Sequence, residues 1–190
     1  YQGLPAFRQA VADFYQKNYQ VVVNPENEIL PLMGSKEGIL HISMAFLNKG
    51  DKVLIPNPGY PTYTSVTNLV EAVPVFYDLT SEHNWEPNFK QLEQQDLSNV
   101  KLMWVNYPHM PTGAKATENL FKKLIAFGKK HQLLIINDNP YSFVLNNNPL
   151  SILSIDGAKE TAIELNSLSK SFNMAGWRVG MLLGATPILE

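Results

Sequence analysis

Apolar positions along the chain follow two rhythms. Leu4, Phe7, Val11, Phe14 and Tyr15 recur at helical spacing and predict a helix over roughly residues 4–18. Ile29 to Met33 is a short apolar run stopped by Gly34-Ser35. A helical stretch then reaches Leu47, with Gly50 of Asn48-Lys49-Gly50-Asp51 expected as its C-terminal cap. Lys52 to Ile55 reads as a strand, Tyr60 to Leu69 as a helix and Val73 to Tyr77 as a strand. The polar segment from Glu82 to Gln95 carries Trp85 as an anchor and a short helix around Phe89 and Leu92. Leu102 to Val105 is a strand, and Pro108 to Gly113 is a loop punctuated by Pro and Gly. Leu120, Phe121, Leu124, Ile125 and Phe127 mark an amphipathic helix closed by His131. Leu133 to Ile136 is a buried strand ending at Asn137-Asp138. Ala162 to Leu165 and Val179 to Gly184 form the last two strands.

Strands alternating with helices, many of the strands uniformly apolar, predict an α/β fold: three α-β-α layers around a mostly parallel sheet. Ligands in such folds bind beyond the carboxyl ends of the strands. Gly34, Pro58, Pro108, Asp138 and Ser167 all fall at those ends. Asn146-Asn147-Asn148-Pro149 reads as a loop within one domain spanning residues 1–190.

The bulk numbers narrow the function. At 190 residues and 45% hydrophobic, the chain can bury one sizeable core. A net charge of -2, with 17% charged residues and no long run of one sign, argues against nucleic acid or an anionic membrane as partner. The absence of cysteine excludes disulfides and thiolate metal sites. His41, His83, His109 and His131 lack metal-ligand spacing, so no metal is expected. No Ser-His-Asp ordering or Gly-x-Ser-x-Gly elbow is present. No apolar run reaches spanning length and no signal-peptide pattern occurs, which makes the cytoplasm the expected compartment. The chain opens without an initiator methionine and stops where a new element begins at Thr186-Pro187, so a larger protein is expected to have been trimmed.

The chemistry gathers around Lys170. It sits in Ser167-Leu168-Ser169-Lys170, followed by Gly176-Trp177-Arg178-Val179-Gly180. A lysine there, buried and so lowered in pKa, would be the neutral nucleophile a Schiff base needs. Ser167 and Arg178 are placed to bind a phosphate, Arg178 bidentately. The set suits pyridoxal 5'-phosphate. Gly34-Ser35-Lys36 opens a helix after a strand, where free amides and the helix dipole favour an anion, although ordinary helix capping fits the same residues. Tyr60, in Asn57-Pro58-Gly59-Tyr60, is placed to stack on a flat ring, or to pack in a Pro/Gly turn. Asp138 at a strand end is desolvated and needs a cationic or hydrogen-bonding partner such as a protonated pyridine nitrogen. Tyr141 lies three residues on, within reach of the ring's phenolic oxygen. A turn-capping aspartate is the alternative.

In this order the pieces resemble the class I/II aminotransferases of fold type I, across the whole chain from Gly3-Leu4-Pro5-Ala6-Phe7-Arg8 to Val179-Gly180. The resemblance implies the large cofactor-binding domain of a pyridoxal-phosphate enzyme, without its N-terminal segment and its C-terminal small domain. It implies Lys170 as Schiff-base lysine and proton shuttle, Asp138 as partner of the pyridine nitrogen and Tyr141 as donor to the phenolic oxygen. Ser35, Lys36, Ser167 and Arg178 would hold the phosphate, and Tyr60 would stack on the ring. The implied activity moves an amino group between an amino acid and a 2-keto acid, in a homodimer at full length. The opening Gln2-Gly3-Leu4-Pro5 is similar to aminocyclopropane-carboxylate synthases, near whose equivalent a tyrosine reaches into the neighbouring subunit; Tyr1 is not assigned that role.

Two alternatives keep the same residues: an elimination enzyme (a carbon-sulfur lyase or cyclopropane-forming synthase), and an aminotransferase-like domain of a transcription regulator. One position departs from the family. Its usual Asn-Pro-Thr-Gly is Met110-Pro111-Thr112-Gly113 here, and methionine cannot donate a hydrogen bond. Tyr141 is then the only side-chain donor identified for the phenolic oxygen, and a higher Schiff-base pKa is expected than in relatives that keep the Asn.

Overall fold

The computed structural model describes residues 2–189, so Tyr1 and Glu190 lie outside it. Seven strands among the described residues form one sheet: β1 (Ile29–Leu32), β2 (Lys52–Asn57), β3 (Val73–Asp78), β4 (Val100–Val105), β5 (Leu134–Asp138), β6 (Ala162–Ser167) and β7 (Gly180–Leu183), in the order β1-β7-β6-β5-β4-β2-β3. β3, β2, β4, β5 and β6 run parallel, and β7 runs antiparallel to both of its neighbours. The parallel ladder explains the apolar runs. Val53, Leu54 and Ile55 are consecutive and all buried because both faces of the sheet are covered.

One face packs against α2 (Ser35–Phe46) and α3 (Pro61–Leu69) through Ile39, Ile42, Tyr63 and Val66. The other face packs against α1 (Pro5–Tyr19) and α5 (Glu118–His131) through Val11, Tyr15, Phe121 and Leu124. Burying each such side chain contributes about 1.5–3 kcal/mol, which is what holds the three layers together. Helix α5 follows its sequence signals closely. Thr117 Oγ1 accepts the Leu120 N–H at 3.0 Å, and Lys129, Lys130 and His131 occupy the last turn. The polar segment holds the one-turn α4 (Phe89–Leu92) after a 3-10 turn at Ser81–His83, and Trp85 is half-buried against the core as anticipated.

One expected cap is corrected. Helix α2 ends at Phe46, with extended Leu47 as its C-cap. Gly50, at φ +84°, instead serves the turn that enters β2, and its N–H donates to Glu71 O at 2.9 Å. The helix therefore stops before the left-handed residue that looked like its terminator. No helix among the described residues is long and apolar enough to cross a membrane.

Strand alternation sorts the polar residues at the carboxyl ends. Asp138 and Ser167 face the α2/α3 side, whereas Asn137, Glu164 and Asn166 face the α1/α5 side. After β6 the chain makes the short α6 (Leu168–Ser171) and returns as β7, with Ser167 paired to Gly180 and Leu168 N–H donating to Val179 O at 3.1 Å. This closed loop brings residues 168–179 to the same end of the sheet as the other strand termini. The one-turn α7 (Thr186–Leu189) follows β7.

Candidate active site

A cleft of about 390 Å³ opens at the carboxyl end of the parallel strands. Ser35, Lys36, Tyr60, Asp138, Tyr141, Ser167, Lys170 and Arg178, all singled out from the sequence, line it. They arrive from the loops after β1, β2, β5 and β6 and from the residues that lead into β7.

Asp138 lies at the floor. It is 4% exposed, and its Oδ2 accepts the Tyr63 hydroxyl at 2.8 Å. Its Oδ1 is buried with no hydrogen-bond partner. Desolvation, the largest cause, pushes its pKa up to about 6; the Tyr63 bond opposes that rise and the charge of Glu164 adds to it. An orphaned carboxylate oxygen in a cleft lacks a donor, and a cationic N–H would supply one.

The anion end is built from backbone. Helix α2 begins at Ser35 with no side-chain cap, leaving its first amides and the positive end of its dipole at the cleft. Gly34, at φ +85°, lies directly under the Arg178 guanidinium, and a Cβ there would collide with Arg178 Nη2. Gly180 presses on the same peptide, since its Cβ would fall 2.8 Å from Ser35 N. Two glycines thus let Arg178, β7 and the start of α2 converge. Arg178 Nη1 also donates to Ala175 O at 3.1 Å. Ser167 Oγ accepts the Ser169 N–H at 3.1 Å and donates to Val179 O at 3.4 Å, so it caps α6 as well as lining the cleft.

Tyr60 is half-buried, with the Lys36 ammonium 5.5 Å from its ring centroid. Tyr141 is half-buried too, and its pKa is raised by desolvation and then by Asp138 and Tyr60. Lys170 departs from expectation. It stands exposed on the cleft wall, and α6 buries no side chain. Phe172 and Trp177, which follow it in the chain, are 47% and 73% exposed. The physical reason is placement: residues 168–179 extend past the strand ends, where α1 reaches only Phe172 and Leu168 packs on the core, leaving Lys170 uncovered.

Several lining residues were missed. Tyr63 holds Asp138 and stacks on buried Trp104, with ring centroids 4.8 Å apart and planes 8° from parallel. Its signal was a second tyrosine three residues after Tyr60, at the start of a helix. Asn106, directly after β4, donates to Asp138 O at 2.6 Å and accepts the Met110 N–H at 2.8 Å. A polar residue at an apolar strand end, the criterion that found Asp138, would have found it. Met110 reaches the cleft, and Asn106 is already engaged on both sides of its amide. His109 is buried and contacts Thr112 Oγ1 at 2.8 Å and Pro58 O at 3.2 Å, joining the Tyr60 and Met110 loops; burial lowers its pKa.

A larger groove of about 570 Å³, between the 82–93 segment and α5, shares no residue with this cleft. Ion pairs Lys123–Glu86 and Lys130–Glu93 line it, and no unpaired buried polar atom faces it. Among the described residues no cluster of His, Asp and Glu is arranged to hold a metal.

Comparison with known proteins agrees with this geometry. The chain matches the family described as aminotransferase class I and II over residues 1–190. It is 44% identical over 191 residues to an LL-diaminopimelate aminotransferase of Dehalococcoides mccartyi, with 100% of this chain and 49% of the relative aligned. An enzyme of the same name from Halothermothrix orenii is 42% identical over 192 residues, again with 100% of this chain and 49% of the relative covered. The chain therefore spans about half the length of the curated relatives it matches. Among solved structures, substrate-bound BacF from Bacillus subtilis superposes with a TM-score of 0.95 at 39% identity, over 98% of this chain and 48% of that one. An aminotransferase from Staphylococcus aureus gives 0.93 at 36% identity, over 100% and 50%. A cleft built at the strand ends, on this sheet and by this sequence, places the chain in the class I and II aminotransferase family.

Proposed function

We propose that the protein is a pyridoxal 5'-phosphate-dependent aminotransferase, of which these 190 residues form the large cofactor-binding domain. The observation that carries the proposal is Asp138 Oδ1, a buried acceptor without a partner in the same cleft as Lys170. Asp138 Oδ1 would accept from the protonated ring nitrogen of the cofactor, and the Gly34–Arg178 corner would hold its phosphate. When bound, the cofactor supplies an electron sink for the bond broken at the substrate's α-carbon.

The rest is protein chemistry. Lys170 Nζ would be the attachment point and, once displaced by the substrate's amino group, the proton carrier, taking the α-proton and delivering it to the cofactor's C4' carbon and not back to the α-carbon. Asp138 holds the ring-nitrogen proton. The Tyr141 hydroxyl donates to the phenolic oxygen, and Tyr60 sets the ring plane. The Ser35 and Lys36 amides, with Ser167 and Arg178, hold the phosphate. A homodimer at full length belongs to the same reading.

The relatives' name points to LL-diaminopimelate as the first amino donor to try. The test is a panel of amino donors offered to the full-length protein, with the keto acid and the newly formed amino acid both quantified. Equal amounts of the two are expected. Ammonia release without a second amino acid would replace this reading with elimination, and no turnover with any donor would favour a non-enzymatic role.

A further inference from the structure

Behind the cleft, on the α1/α5 face of the sheet, sits a second buried carboxylate. Glu164 is 0% exposed and has no cationic partner among the described residues. Its Oε1 accepts the hydroxyls of Tyr15 and Ser151, each at 2.9 Å. Its Oε2 accepts Asn137 Nδ2 at 2.9 Å and the Ile152 N–H at 3.0 Å. Both hydroxyls already accept elsewhere, Tyr15 from Asn166 Nδ2 at 3.0 Å and Ser151 from the Leu153 N–H at 3.1 Å. Burial raises the Glu164 pKa, and every group facing it is arranged to donate, which opposes that rise and is the pattern an ionised carboxylate requires.

Two arms leave this hub for the cleft. One runs through Asn137, the residue before Asp138, whose Oδ1 also accepts the Tyr107 N–H at 3.3 Å. The other runs through Tyr15 to Asn166, whose Oδ1 accepts the N–H of Ser167 at 2.8 Å, at the start of the Lys170 turn. We propose that Glu164 is a positioning residue: as a carboxylate clamped on the far face, it joins the ends of β5 and β6 and so sets the placement of Asp138 and of the Ser167–Lys170 turn. The inference rests on the cofactor-site reading of those two arms.

The direction of its electrostatic effect follows. Glu164 charge makes Asp138 harder to ionise. In E164Q one carboxylate oxygen becomes an N–H₂ donor, so either the Tyr15 and Ser151 hydroxyls or the Asn137 and Ile152 N–H groups lose their acceptor, and the charge of the hub is gone.

The test uses the full-length protein as wild type, E164Q and a control, I135V, a cavity-forming change on the adjacent strand β5 and the same face of the sheet. Asp138 is titrated without cofactor by carboxyl ¹³C NMR, its signal assigned with D138N. Affinity for pyridoxal 5'-phosphate is read separately by fluorescence quenching. In E164Q the Asp138 midpoint is expected to fall by roughly half a pH unit and affinity roughly tenfold, with I135V unmoved in both. Titration and affinity in E164Q equal to those of I135V, whatever its stability, would overturn the proposal. If E164Q does not fold, E164D decides: with the charge kept and the reach shortened, a preserved midpoint with weakened affinity supports it, and unchanged affinity sinks it. Wild type that fails to bind the cofactor refutes the functional reading, while the cofactor-free titration still judges Glu164.

Discussion

Asp138 and Glu164 are both buried carboxylates on adjacent strands, yet their surroundings are opposite. Glu164 accepts four donors, from α1, β5 and the 151–152 segment. Asp138 accepts one at its carboxylate, and an oxygen is left without a partner. Leaving a buried acceptor unmade costs about 1–3 kcal/mol, so a folded chain keeps one only where something else completes it. The difference separates scaffold from site more sharply than residue type does. On the proposed reading, Glu164 holds the strand ends in place and the cofactor would complete Asp138.

The sharpest way to separate the two faces is Lys170→Ala. Loss of a proton carrier is expected to cut turnover by about 10²–10⁴-fold or more. Because the side chain is exposed, unfolding free energy should stay within about 0.5 kcal/mol of wild type. Turnover and denaturation measured on one preparation would show whether the cleft face carries chemistry without carrying stability.

Asp138→Asn comes next. With its pKa raised to about 6, folded Asp138 holds its proton where the unfolded chain has released it. Wild-type stability without cofactor should therefore decline as pH climbs from about 4 through 6, and the Asn variant should escape that decline. The gap between them is expected to open from near zero at pH 4 to on the order of 2–3 kcal/mol above pH 6. Denaturant titrations across that range, with and without added cofactor, would record it. A gap constant with pH would contradict the electrostatic origin.

Tyr63→Phe asks what the single donor contributes. Removing it should raise the Asp138 midpoint above about 6 and cost about 1 kcal/mol, since the lost bond favours the ionised form. A carboxyl titration that moves down instead would mean Tyr63 does not stabilise the charge. The smallest effect belongs to Met110→Asn, which restores an amide where neighbouring Asn106 is already engaged. The pH midpoint of the bound cofactor's visible absorption should fall by about 0.5–1 unit, equivalent to roughly 1 kcal/mol of donor bond. An unchanged or higher midpoint would remove Met110 from the account.

Much of this was legible from sequence, and the exceptions have physical causes. Period and punctuation located the strands and long helices, because a parallel sheet covered on both faces leaves apolar runs that turns interrupt. The cleft residues were legible because each follows such a run. Glu164 was not, since nothing local distinguishes a carboxylate inside Ala-Ile-Glu-Leu; its donors come from residues 15, 137, 151 and 152. Tyr63 carried a local signal in its spacing from Tyr60, but its partner lies 75 positions away. The exposure of Lys170 was misjudged because its motif was read as buried, whereas Phe172 packs edge-on against Phe14 at 5.8 Å and Trp177 faces outward, so neither encloses it.

Alternation along β5 and β6 has one more consequence. Asn137-Asp138 and Asn166-Ser167 each place a scaffold residue and a cleft residue side by side in the chain. A single inserted or deleted residue in either strand would exchange them, sending the carboxylate into the α1/α5 core and the amide into the cleft. Changes in length are then survivable only outside the strands, as at Asn146-Asn147-Asn148-Pro149. The two faces share one reading frame, so neither can be re-engineered by length alone.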